Sequence, residues 1–295
     1  MKKEAIKLIA LPLTRPKPTE SYGLIYLYHH NPNLNSNSNL TSTTTTNQQK
    51  AWVNRMTDFG AKQWLKMGTA SKTNWKYKIY MTGEGLMDKI PFEEWAMKSI
   101  EPSAVPNTRL SNLEANHPEE KSIKSSESID PIELLYPSLL GPSEKLIDWL
   151  KSTLRQKEPF HQKWMKYNLL MSPLTLPFAI LPIVPNLPFF YLMWRAWSHW
   201  RAYRAIKYLN TMMSHGLIIP RQSKLLDKVY NESSLSKEGK DGMVLDTEMS
   251  LRLKEEFQWN EHCEREIERA IHQAHSRLKT NENRNENENE KEKTS

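Results

Sequence analysis

Apolar positions along this chain gather into short runs with different periods. Residues 5–13 and 22–28 are two apolar stretches punctuated by Pro12, Pro16 and Pro18, which predicts short strands joined by a turn. Between residues 48 and 67, Trp52, Met56, Phe59 and Met67 recur at helical spacing. Gln63 falls inside that face and Gly60 weakens it, but an amphipathic helix is the expectation. Trp75, Tyr77, Ile79 and Met81 alternate with lysines, the period of a half-buried strand, with a short helix left open. Pro91 then opens a helix over 92–100, with Glu93 and Glu94 in the first turn where the helix dipole favours acids. Past Pro142, Ser143 is placed to cap a helix with Leu146, Ile147, Leu150 and Leu154 on one face. Finally, Leu253, Phe257, Ile267, Ile271, Ala274 and Leu278 share a face over 248–279, predicting one long amphipathic helix. Asn260 and Glu264 interrupt its seam, which favours packing on its own domain over a coiled-coil partner.

Polar stretches separate these runs. Residues 31–49 are almost wholly Asn, Ser, Thr and Gln, residues 103–130 are rich in Ser, Glu, Asn and Lys, and the tail from 281 repeats Asn, Glu and Lys. None has the apolar area to offset its conformational entropy, so disorder is expected in all three. The resulting organisation is an N-terminal domain at 1–102 with an insertion at 31–49, a linker at 103–130 and a membrane-associated helical region at 131–210. A polar connector at 211–247, the helix at 248–279 and a disordered tail at 280–295 follow. The fold class is mainly α with a small N-terminal β element, a proline-broken membrane segment and disordered polar insertions.

The membrane expectation rests on residues 169–194, which carry no charge. A continuous helix of that length would reach about 39 Å, enough for a hydrocarbon core of about 30 Å. Pro173, Pro177, Pro182, Pro185 and Pro188 make a straight helix improbable, since each internal proline costs about 3 kcal/mol. The break is placed at Pro177, Pro182, Pro185, Asn186 and Pro188, leaving a broken span or a shallow hairpin. Lys163 and Lys166 precede the segment, and Arg195, Arg201, Arg204 and Lys207 follow it. Cations on both sides suit a hairpin whose ends face one leaflet. Trp194, Trp197 and Trp200, interleaved with Arg195, His199, Arg201 and Arg204, form an expected interfacial or lipid-binding set. The competing reading is a proline-rich core segment with an aromatic helix packed behind it.

Composition narrows the function classes. Only 38% of the 295 residues are hydrophobic, so the ordered part is smaller than the whole chain, and a net charge of +7 favours a polyanionic surface. The single Cys263 excludes an internal disulfide framework. The first 18 residues lack a secretory pattern and, poor in arginine and holding Glu4, do not match a mitochondrial presequence, so any import signal would be internal. His272 and His275, with His262 nearby, lack a second ligand motif, and no phosphate loop, nucleophile elbow or acid–base motif is present. No enzyme activity, metal or cofactor is therefore expected.

A resemblance sharpens this reading. At Leu11–Pro12–Leu13–Thr14, Trp75–Lys76, Glu93–Glu94–Trp95 and across 177–204, the chain resembles the fungal mitochondrial K+/H+ exchange-related family. The densest run is Pro182, Ile183, Val184, Pro185, Asn186, Leu187, Pro188, Phe189, Phe190 and Tyr191, followed by Arg195, Ser198, His199, Arg201 and Ala202. The resemblance implies an inner-mitochondrial-membrane location and participation in electroneutral exchange of potassium for protons, with no catalytic residues to carry over. Proton-coupled transport normally needs an ionisable group at membrane depth, and 169–194 has none; Ser172, Thr175, Asn186 and Tyr191 are its main polar side chains. The expectation is an accessory or regulatory subunit that meets anionic lipid and acts with other exchanger subunits or further copies. A peripheral scaffold acting through the C-terminal helix is the second class. A basic nucleic-acid binder is the third and ranks last, because no groove-reading motif gathers the charge.

Overall fold

Leu8–Pro12 is an unbroken apolar run rather than an alternating one, and Lys7–Pro12 forms strand β1, buried on both faces from Leu8 onward. In the computed structural model, which describes residues 7–16, 24–30, 62–100, 131–180, 187–232, 242–259 and 261–294, β1 lies inside a four-stranded sheet. β2 (Ile25–His30) pairs antiparallel with it in the register Lys7–His30 to Pro12–Ile25. β3 (Ile132–Tyr136) pairs parallel on its other side, and β4 (Ile218–Gln222) pairs parallel with β3, giving the order β2-β1-β3-β4.

Parallel neighbours need a crossover, and here the β3-to-β4 connection is a pair of long helices. α3 (Ser143–Met171) leads into a 3₁₀ stretch, Ser172–Ile180, and α4 (Leu187–Ser214) returns to the sheet. Asn210 bonds Glu158, and His199 bonds His161, so partner numbers fall on one helix as they rise on the other: the pair is antiparallel. Buried positions on α4 recur at Ser198, His199, Ala202, Ala205, Ile206, Leu209 and Met212, the 3.6-residue stripe of a helix facing a core. Ala202 and Ala205 let α4 approach its neighbours closely. The remaining helices are α1 (Trp75–Asp88), α2 (Phe92–Ser99), α5 (Lys224–Glu232), α6 (Thr247–Phe257) and α7 (Glu261–Thr294).

The chain forms two compact units, Met1–Asn31 with Phe92–Ser295, and Pro32–Pro91. In the first, Leu8 and Leu134 of the sheet, Leu150 of α3, Ile206 of α4 and Ile267 and Ala274 of α7 share one core. Polar bonds fasten it: Tyr230 Oη donates to the Pro12 carbonyl at 3.1 Å, and Tyr26 Oη to Glu266 Oε2 at 3.0 Å. In the second unit, α1 meets a helical stretch at 62–68 through Trp64, whose ring lies 5.3 Å from Tyr80 and whose Nε1 donates to Glu84 at 2.9 Å.

Several expectations need correction. Residues 75–81 are helical, not a strand; Asn74 caps α1 by accepting from the Lys76 N–H at 3.0 Å, and the Trp64 indole seats on the face carrying Tyr80, Gly83 and Glu84. Ser143 does not cap α3, because Pro142 holds the N-cap position without a side-chain bond. The helix expected over 248–279 breaks at Gln258, whose left-handed backbone (φ 51°) ends α6. Trp259 explains the break: it is buried, stacked on Phe257 at 5.8 Å and edge-on to Tyr28 at 5.1 Å, contacts a straight helix would not place together. Residues 211–247 hold β4 and α5, whose Leu226, Val229 and Tyr230 are buried. The tail from 280 continues α7 through Thr294 rather than lying disordered. Extending an existing helix avoids the nucleation cost, and Glu and Lys are good helix formers. The insertion at 31–49 and the linker at 103–130 lie outside the described residues.

Among the described residues no helix is long and apolar enough to cross a membrane. Of the expected membrane segment, residues 169–180 and 187–194 form the end of α3, the 3₁₀ stretch and the start of α4, at the turning end of the hairpin, and 181–186 lie outside the described residues.

Candidate functional site

The hairpin has two chemically distinct levels. Its turning end exposes large apolar side chains: Leu170 is 74% exposed, Leu174 65% and Phe190 61%, joined by Leu169, Tyr191 and Met193. Ser172 Oγ donates to the Leu169 carbonyl at 2.8 Å and Thr175 Oγ1 to the Ser172 carbonyl at 2.6 Å, so these two hydroxyls are engaged with the segment's own backbone. Toward the sheet, Phe160, Trp164, Tyr167, Trp197 and Trp200 are exposed aromatics, with Arg201 5.1 Å from the Trp197 ring and Arg204 4.8 Å from the Trp200 ring.

Beneath this belt lies a buried polar cluster drawn from three helices. Glu94 comes from α2, His161 from α3, and Arg195, Ser198 and His199 from α4. Glu93 and Glu94 are consecutive, yet a helix turns them about 100° apart. Arg277 of α7 clamps Glu93 at 2.7 and 3.1 Å, while Arg195 clamps Glu94 at 2.7 and 3.2 Å. The Phe92 N–H, left without a partner inside α2, donates to Gln273 of α7 at 2.9 Å. Thus α2 is fixed on both sides, and Glu94 is aimed at α4.

Ser198 Oγ also donates to Glu94 Oε1 at 2.7 Å. Burial pushes the Glu94 carboxyl upward, but the bonds from Arg195 and Ser198 outweigh it and hold it below its ordinary value. Arg195 Nη2 lies 2.9 Å from His199 Nε2, and a guanidinium can only donate, so Nε2 accepts. The His199 proton therefore sits on Nδ1 and points to His161 Nδ1, 3.0 Å away, which leaves the His161 proton on Nε2. Burial pushes both imidazoles down to about 4 against the pull of Glu94, keeping both neutral at pH 7. Lys98, also buried, stands 3.4 Å from the Trp95 ring and is pushed down to about 8 by burial.

The structure divides the expected site residues. Pro177 lies within the 3₁₀ stretch and Pro188 in the first turn of α4, where proline is tolerated. Pro182, Pro185 and Asn186 lie outside the described residues. Trp197, Trp200, Arg201 and Arg204 lie along the hairpin surface, and Trp194 is half-buried with Lys98 5.5 Å from its ring. Arg195 and His199 face inward rather than along that surface: His199 is buried and Arg195 turns to Glu94. Sequence reasoning missed Glu94 and His161 as partners, and its histidine search stopped at the C-terminal residues. Glu94, Arg195, Ser198 and His199 all belong to the positions that carry the family resemblance, which was the available signal; nothing marked His161.

A family model described as mitochondrial K+-H+ exchange-related matches residues 7–213, which takes in strands β1 to β3, the hairpin up to Met213 and every residue of the buried cluster, while β4 lies beyond it. An uncharacterized protein of Saccharomyces cerevisiae is 26% identical over 161 residues, 52% of this chain and 50% of that protein. An uncharacterized protein of Schizosaccharomyces pombe is 28% identical over 123 residues, 42% of this chain and 46% of that protein. The chain spans about half the length of the curated relatives it matches. No solved structure matches it.

Proposed function

The chain belongs to the mitochondrial K+-H+ exchange-related family, and from that premise we propose that it is a non-enzymatic accessory or regulatory component of potassium–proton exchange, seated on the inner mitochondrial membrane by the turning end of its α3–α4 hairpin. The observation that carries this reading is the exposed apolar end, Leu169, Leu170, Leu174, Phe190, Tyr191 and Met193. From Arg195 to the start of α4, and from His161 to the end of α3, the helices extend about 12–15 Å beyond the buried cluster at 1.5 Å per residue. That reach matches one leaflet of a hydrocarbon core of about 30 Å. On the same rise exposed Lys163 falls near headgroup level, Arg201 and Arg204 lie farther out, and Lys166, about 7.5 Å deeper than His161, reaches the headgroups by extending its side chain, each cation contributing about 1 kcal/mol on an anionic surface.

A hairpin of this depth encloses no path across the bilayer, so the reading assigns conduction to a partner or to an assembly of several copies. It is favoured over a scaffold acting through the C-terminal helix, because Ile267, Ala270 and Ala274 of α7 are already buried in its own core. Lipid is favoured over nucleic acid because the cations flank an apolar end rather than a groove.

Swelling of mitochondria in potassium acetate tests the reading. Deletion of the chain is expected to slow swelling, and re-expression of wild type to restore it, while a variant carrying Leu170→Asp, Leu174→Asp and Phe190→Asp fails to do so. Full rescue by that variant would remove the membrane role of the hairpin end. Potassium–proton exchange by a purified, reconstituted monomer would overturn the accessory assignment.

A further inference from the structure

Three helices bring three ligand-type side chains to one buried point, and the membrane role proposed above does not use them. Glu94, His161 and His199 each present one donor atom, and these atoms all lie within 4.8 Å of one another. The two Nδ1 atoms are 3.0 Å apart, and Glu94 Oε2 is 3.9 Å from His199 Nδ1. Ligands of a tetrahedral zinc-class ion, held at about 2.0–2.1 Å, are separated by about 3.3 Å, so the trio needs only small side-chain rotations to close on a metal. We propose that Glu94, His161 and His199 form a two-histidine, one-carboxylate site for a divalent transition-metal ion, and that Arg195 is the resident cation which the metal displaces.

The chemistry of the site suits this exchange. Metal ligation needs an imidazole lone pair, and His161 Nδ1, which accepts from His199, already turns one toward the point where the three side chains meet. With Arg195 bound, the His199 proton must stay on Nδ1, because Nε2 accepts from the guanidinium. When Arg195 withdraws, that proton moves to Nε2, and both Nδ1 lone pairs face the ion. No proton is gained or lost by the pair, and Glu94 exchanges one cation for another. Arg195 has a way out: its side chain is 15% exposed, whereas that of Glu94 is 4% exposed. Each ligand sits on a separate helix of one core, and Ser198 stays bonded to the second carboxylate oxygen, orienting it as outer partners of metal ligands do. The fourth coordination position is left to water. Lys98 and Arg195 oppose a second positive charge, which favours a site that binds metal only when Arg195 leaves.

The proposal stands apart from the membrane reading and is tested on the full chain after removal of metals with a chelator. Titration with Co²⁺ is expected to give visible bands of a four-coordinate ion saturating at one equivalent, with Zn²⁺ competing. X-ray absorption on the Zn²⁺-loaded wild type is expected to show two imidazoles in the first shell, a readout that needs no variant to fold. His161→Ala and His199→Ala, checked for folding by circular dichroism, should lose the bands; His272→Ala with His275→Ala should keep them. Arg195→Gln should tighten binding at least about tenfold, which a purely structural network would not do. Absence of stoichiometric binding, fewer than two imidazoles at the zinc, bands surviving loss of either buried histidine, or unchanged affinity in Arg195→Gln would each overturn the proposal.

Discussion

Replacing Arg195 by Met should be among the most damaging single changes at the hairpin. The Glu94 carboxylate is 4% exposed and receives two guanidinium bonds at 2.7 and 3.2 Å. Met fills much of the volume but leaves the charge buried with the Ser198 hydroxyl as its remaining close donor, and breaking a buried pair from one side costs about 3–5 kcal/mol. Glu94→Gln should cost less, about 1–3 kcal/mol, because the amide keeps an acceptor for Ser198 and Arg195 reaches solvent at its 15% exposed side chain. In the double variant no charge is stranded, so its cost should fall below the sum of the two singles by about 1–3 kcal/mol, the range found for residues in one hydrogen-bonded network. The assay is urea unfolding of the three variants and wild type, followed by circular dichroism and tryptophan fluorescence, with coincident transitions required before free energies are compared. Additivity within about 0.5 kcal/mol would refute the coupling. It would mean that Glu94 and Arg195 contribute separately and that α2 and α4 are joined by apolar packing alone.

Two further predictions concern other parts of the molecule. A Cβ on Gly83 would clash with Trp64 Cη2, so Gly83→Ala should destabilise the second unit by about 1–3 kcal/mol despite alanine's higher helix propensity. Gly85, where a Cβ meets nothing within 4 Å, is the control, and Gly85→Ala should stabilise α1 by about 0.5–1 kcal/mol in thermal unfolding; the opposite ranking would refute the Trp64 packing. Burial pushes the Asp227 carboxyl upward, but bonds from the Ser138 N–H at 2.5 Å and Gln222 at 2.8 Å outweigh it and hold it below its ordinary value. A lowered folded-state pKa stabilises the fold above the unfolded-state value of about 3.9 and loses that contribution as pH falls toward the folded value. Asp227→Asn should therefore lower stability at neutral pH and flatten the decline below about pH 4 in a pH series of unfolding midpoints.

The hairpin was legible because two signals coincide in it. The stripe at Leu146, Leu150 and Leu154 repeats at the helical period, and the uncharged stretch at 169–194 stands out from a polar chain. Its aromatic and cationic flanks were readable as well, but not which of them turn inward. His199 and Trp200 are neighbours in sequence, and α4 sends one into the core and the other to the surface. The buried cluster was illegible because its bonds join residues 101 and 38 positions apart, a closeness that only the packing of three helices creates. Residues 75–81 misled because four alternating positions span less than two helical turns, too short for either period to assert itself. Trp259 was overlooked for a related reason: its burial against Tyr28 depends on a strand more than two hundred residues earlier.

The central claim, that the turning end of the hairpin enters one leaflet, is tested most directly by an environment-sensitive fluorophore at position 174, introduced by Leu174→Cys in a Cys263→Ser background. Vesicles rich in cardiolipin are expected to shift its emission to the blue and to expose it to quenchers carried near the lipid headgroups, while a probe at exposed Leu251 of α6 stays aqueous. An unshifted, equally water-accessible signal at both positions would contradict the account.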